Sequence, residues 1–139
     1  MWRPALLLGL ILLAGCAGPL HLGDARVLLF GEQHDQPDQQ RRVAVTVETL
    51  AARGELAALV LEMAERGRDT RALPRTASPA EVREALQWSQ WPWEPYEGVV
   101  MNAVRAGVAV WGGNLQRSTM RPTMADAALE DLIPASARK

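Results

Sequence analysis

The 139-residue chain contains one cysteine, Cys16, one tyrosine, Tyr96, one phenylalanine, Phe30, and one lysine, Lys139. A lone cysteine excludes an internal disulfide, whatever the redox state of the compartment. The fifteen basic residues are otherwise all arginine, and they are scattered among sixteen acids. No basic block is long enough to track a phosphate backbone, so nucleic acid is not expected as a partner. Also missing are a glycine-rich phosphate loop, a Gly-x-Ser-x-Gly elbow and a His-Glu-x-x-His zinc helix. There are no internal repeats or low-complexity tracts. The apolar run Ala5–Ala14 falls well short of the roughly 20 residues that a membrane-spanning helix needs.

That run instead has the length of a secretory signal, and Arg3 supplies the positive charge ahead of it. Leu13-Ala14-Gly15-Cys16 has the form of a lipobox, at which a diacylglycerol is attached to the cysteine thiol and the chain is cut just before it. Residues 1–15 therefore read as a lipoprotein signal peptide, and residues 16–26 as a lipidated tether ahead of a domain at 27–139. Ala17, rather than Asp, after the cysteine points to the outer membrane. The other reading of Cys16 is an ordinary small residue inside a signal.

Beyond the tether, Val27-Leu28-Leu29-Phe30 is an unbroken apolar run ending at Gly31, and it predicts a buried strand. Pro37 suits a first helical turn, and Val43, Val47, Leu50 and Ala51 recur at helical spacing until Gly54, predicting a helix over Pro37–Arg53. Ala57–Leu61 predicts a second strand, followed by Glu62. The polar, arginine-rich stretch Ala64–Ala77 reads as a surface loop, and Ser78-Pro79-Ala80-Glu81 as a capping box opening a helix to about Gln87. Val99, Val100, Ala103 and Val104 mark a further helical face closed by Gly107. Val108–Trp111 predicts a third strand before Gly112-Gly113-Asn114, and a last helix is expected from Thr123 to before Pro134. Strands alternating with helices predict an α/β fold, a three-layer parallel sheet built from βαβ crossovers.

In such a sheet Glu32 and His34 after the first strand, Glu62 at the end of the second and Asn114 after the third lie along one edge. Ligands of open α/β sheets bind there. Glu32 and His34 stand two apart, so an extended chain points both side chains the same way. A carboxylate beside an imidazole binds a metal, shares a proton or anchors a polar group. The competing roles are a helix cap for Glu32 and a solvated loop residue for His34. Asp35 and Gln36 read as caps of the following helix. Gln40, one turn in, faces either the site or solvent. Trp88, Trp91 and Trp93 cluster too closely for core filling alone.

Gly31-Glu32-Gln33-His34-Asp35, followed by Pro37 and a glutamine-rich helix start, resembles the opening motif of the ChaN-like haem-binding lipoproteins. Further matches come in order: Leu61-Glu62-Met63, Trp93-Glu94-Pro95-Tyr96 and Asn114-Leu115-Gln116-Arg117, the last with Gln116 where the family has proline. The resemblance covers about residues 26–121. It implies haem as ligand, a part in iron acquisition, and two stacked haems where two subunits of a homodimer meet. In the family a tyrosine holds the iron, with histidine and basic groups near the propionates. On that basis Tyr96 is the candidate iron ligand, Trp93 and Trp91 candidate covers for a porphyrin face, and Arg117 a propionate partner by its fork geometry. Tyr96 packing against the sheet at a helix start, and Arg117 as a surface residue, are the competing roles. Family members carry further strands downstream, so the chain is expected to correspond to the N-terminal part of their domain.

Two other functions are compatible with the same residues. Gly-x-x-His with a later strand-end glutamate also resembles the TraB/TIKI-type metalloproteases and erythromycin-esterase-like enzymes, in which Glu32, His34 and Glu62 would bind a metal or activate water. A truncated product without function is the other.

Overall fold

The computed structural model describes residues 23–132 and residue 134. The chain divides into two units at Phe30–Gly31. The described part of the first unit, residues 23–30, carries no regular secondary structure. Val27–Phe30 therefore does not form the expected strand, and Val27 and Leu29 are 72% and 86% exposed. An apolar run signals a wish to be buried, but a strand exists only through ladder bonds to a neighbour, and none forms here. The lipobox and most of the proposed tether lie outside the described residues.

The second unit begins with α1, Pro37–Ala52, with Pro37 in its first turn, where a missing N–H costs nothing. Val47 and Leu50 turn its apolar face inward, and Gln40 is buried beside them. β1 runs over Ala58–Glu65, longer than its apolar core predicts, so Glu62 lies inside the strand rather than at its end. α2, Pro79–Ala85, opens with the expected reciprocal capping box between Ser78 and Glu81. α3 spans Glu94–Ala106 and buries Tyr96, Val99, Val100, Met101, Ala103 and Val104. It ends where Gly107 takes φ 78°, with the Gly107 N–H reaching the Val104 carbonyl and the Val108 N–H reaching Ala103. That paired closure needs a left-handed residue, which glycine supplies without strain.

β2, Ala109–Asn114, pairs in parallel with β1, with Ala58 opposite Ala109 and Leu61 opposite Gly112. The register is then interrupted, and Glu65 pairs with Asn114. Among the described residues the sheet has these two strands, joined through α2 and α3, so the α/β class with a parallel crossover stands. Part of the expected loop at 64–77 also belongs to the sheet region. The Gly112 N–H donates to the Arg68 carbonyl, the Val110 N–H to the Thr70 hydroxyl, and Asp69 bridges Trp111 in antiparallel sense. Polar composition marks that stretch as loop because backbone groups and the Thr70 hydroxyl, not apolar side chains, make these contacts.

α1 lies across α3, close enough at Gly98 that an added Cβ would touch Ala44, and the Asn102 amide donates to the Ala44 carbonyl. Val47, Leu61, Val82, Leu86, Val100, Met101 and Val110 fill the space between helices and sheet. The last helix starts earlier than expected. α4 covers Arg117–Met124, and a 3₁₀ helix, η1, follows at Ala127–Leu132. Pro122 sits inside α4 near its end, where its missing N–H removes one terminal bond rather than breaking a long helix.

Candidate ligand-binding site

Two turns of chain and two helices build the candidate site. Gln33 accepts a turn-closing bond from the Gln36 N–H and donates its own N–H to the Gln39 side chain, which fixes the approach to α1. That turn presents Glu32 and His34 on the same side, as their spacing predicts. α2 ends with Gln87 at φ 49°, a left-handed conformation in a residue that carries a Cβ, and the Trp88 N–H closes back on the Arg83 carbonyl. The reversal drives Trp88 into the core, where its indole N–H donates to the Trp91 carbonyl. Trp88 then packs edge-on against Trp93 at 5.1 Å and tilted against Tyr96 at 5.5 Å.

Tyr96, in the first turn of α3, meets the Glu32 turn across the packed interface. Its hydroxyl donates to Glu32 Oε1 at 2.7 Å. His34 Nδ1 lies 2.9 Å from the same carboxylate oxygen and 3.0 Å from the Tyr96 hydroxyl. Gln40 donates from Nε2 to Glu32 Oε2 at 3.2 Å. Three residues thus converge on one carboxylate, and Trp91 leans on the imidazole with ring centroids 4.3 Å apart. A carboxylate oxygen accepts and cannot donate, so the 2.9 Å contact places the imidazole hydrogen on Nδ1. Burial holds the Tyr96 hydroxyl well above its usual ionisation range, the Glu32 hydrogen bond and charge add to this, Gln40 offsets part, and the Glu62 charge adds again. Tyr96 is therefore a neutral donor in this arrangement.

The other sequence-derived candidates are placed elsewhere. Glu62 is exposed on β1 and acts on Tyr96 through its charge. Among the described residues no three carboxylate, imidazole or thiol groups are positioned to hold a metal ion, so Glu32, His34 and Glu62 do not close into a triad. Asn114 accepts the Leu115 N–H on its side chain and the Arg66 N–H on its carbonyl, which are bonds that shape the end of β2. Arg117 is exposed and donates to the Gln90 side chain. Trp93 is 5% exposed and donates from its indole to Glu97, so it packs in the core, while the half-buried Trp91 stands against His34. A separate groove of about 600 Å³ runs past Met63, Arg68, Arg83 and Gln90, and Trp88 forms the wall between it and Tyr96.

Whether these residues suit haem depends on donor chemistry and access. Imidazole and phenol both ligate haem iron in proteins. His34 keeps a third of its side chain exposed, against 2% for the whole of Tyr96. Gln40 Oε1 is buried without a hydrogen-bond partner among the described residues. The donor set fits.

No curated protein and no solved structure matches the chain. The family model described as haem-binding uptake, Tiki superfamily, ChaN matches residues 20–139, which takes in every element described above. The chain therefore belongs to the ChaN family of haem-binding uptake proteins.

Proposed function

We propose that this chain is an outer-membrane-tethered lipoprotein that binds haem at the Glu32–His34–Tyr96–Gln40 cluster during haem or iron uptake. Family membership gives haem as the ligand. The observation that carries the location is the convergence of His34, Tyr96 and Gln40 on the single carboxylate of Glu32. That knot orients an accessible imidazole with one ring nitrogen still free, next to the face of Trp91. Lipidation at Cys16 supplies the tether, and the homodimer implied by the family resemblance supplies a second surface to cover the ring. Arg117 remains the candidate propionate partner, and Trp93 supports the aromatic wall from behind.

Two measurements test the proposal. Titrating the purified chain with haemin is expected to give a saturable Soret shift at one haem per chain. Cells fed labelled palmitate are expected to label the wild-type chain and not Cys16→Ser. A Soret band that grows without saturation contradicts haem binding, and label retained by Cys16→Ser contradicts the anchor.

A further inference from the structure

The geometry points to His34 Nε2, rather than the Tyr96 hydroxyl, as the group of this chain that bonds haem iron, with Glu32 as the positioning residue behind it. The assignment rests on the haem-binding reading above and departs from the tyrosine ligation that the family resemblance implies.

Three observations carry it. First, His34 Nδ1 faces Glu32 Oε1 at 2.9 Å and the Tyr96 hydroxyl at 3.0 Å, so Nδ1 carries a hydrogen and Nε2 is the ring nitrogen left to meet a metal. Among the described residues Nε2 makes no hydrogen bond. Second, the hydroxyl of Tyr96 is committed as a donor to Glu32 at 2.7 Å, and the residue is 2% exposed. To bond iron it would have to break that hydrogen bond and leave the cover of Trp88. Third, the His34 side chain is one-third exposed and Trp91 leans on its ring, so the imidazole is both reachable and held in orientation. A carboxylate bonded to one ring nitrogen while the other bonds the metal is the recurrent way proteins fix a histidine ligand.

Gln40 extends the same network. It donates to the second oxygen of Glu32, so both carboxylate oxygens are engaged and the carboxylate cannot rotate away from His34. Glu32 thus acts through His34 rather than on the iron.

The test compares the haemin complexes of the full-length wild-type chain, His34→Ala, Tyr96→Phe and Glu32→Gln. Each protein's fold is first checked by far-ultraviolet dichroism. Tyr96→Phe is expected to keep the wild-type ferric spectrum. His34→Ala is expected to lose it, to bind on the order of tenfold more weakly or worse, and to recover the wild-type spectrum when free imidazole is added. Glu32→Gln is expected to keep an imidazole-type spectrum with affinity reduced about tenfold or more. A measurement that needs no variant is the resonance Raman spectrum of the reduced wild-type complex, in which an iron–imidazole stretching band is expected.

If His34→Ala keeps the wild-type spectrum, even with weaker binding as a propionate contact would give, or if Tyr96→Phe loses it, the assignment is overturned while haem binding stands. A Raman spectrum without the iron–imidazole band also overturns it, whether or not the variants fold. A wild-type chain with no saturable Soret shift overturns the haem reading itself, and the assignment with it.

Discussion

A single carboxylate organises the candidate site. Glu32 accepts from His34, Tyr96 and Gln40, so each partner's position depends on the other two. Replacing the phenol by Tyr96→Phe removes one hydrogen bond to a charged acceptor and is expected to lower stability by about 1 to 3 kcal/mol, measured by urea unfolding. Because Tyr96 is the only tyrosine, an alkaline titration of phenolate absorbance reads it alone. Burial and Glu32 raise its ionisation above the usual value of about 10, so the folded chain is expected to show no phenolate band there. The sign of the linkage follows. A neutral form favoured by folding contributes stability that is fully present below the unfolded value and declines as pH rises past about 10 toward the folded value. Tyr96→Phe should lack that decline. A phenolate band in the folded wild-type chain near pH 10 would contradict the buried donor.

Among the elements, the termini decide how the site is presented. α2 ends on Gln87 at φ 49°, and that reversal puts Trp88 behind Tyr96. Gln87→Gly is expected to stabilise the chain by about 1 kcal/mol, since glycine adopts that backbone without the Cβ clash. An unchanged unfolding midpoint would mean that the turn is not strained. In β2, a Cβ at Gly112 would collide with the backbone carbonyl of Glu65. Gly112→Ala is expected to cost about 1 to 3 kcal/mol, because backbone cannot yield as a side chain does. The same elements show why some features were readable from sequence. Pro37, the Ser78–Glu81 box and Gly107 are local signals, and the helices they bound are found within a residue or two of expectation at those ends. α4 starts at Arg117 rather than at the expected Thr123, since the structure admits Pro122 inside the last turn. Val27–Phe30 reads as a strand from its apolar run, yet strand formation is decided by a partner edge that no local pattern encodes.

For the whole molecule, the site brings together residues more than sixty positions apart, His34 and Tyr96, and that separation limits what sequence shows. The Glu32–His34 pair was visible from its two-residue spacing. Its closure by Tyr96 was not, because it depends on how α3 lies across α1. The expected line of polar groups along one sheet edge also divides. Glu32 and His34 join α3, while Asn114 is used in the backbone turn that ends β2. The family match covers both regions and gives the ligand class, so the open matter is which surface receives it. Two surfaces compete: the Glu32 cluster and the groove of about 600 Å³ beyond Trp88.

Haemin affinity measured by Soret titration for the wild-type chain, Glu32→Gln and the groove variant Arg68→Ala, side by side, separates the two. Binding through the Glu32 cluster predicts a loss of about tenfold or more in Glu32→Gln and an unchanged isotherm in Arg68→Ala. An unchanged Glu32→Gln beside a weakened Arg68→Ala would place haem in the groove and contradict the site assigned here.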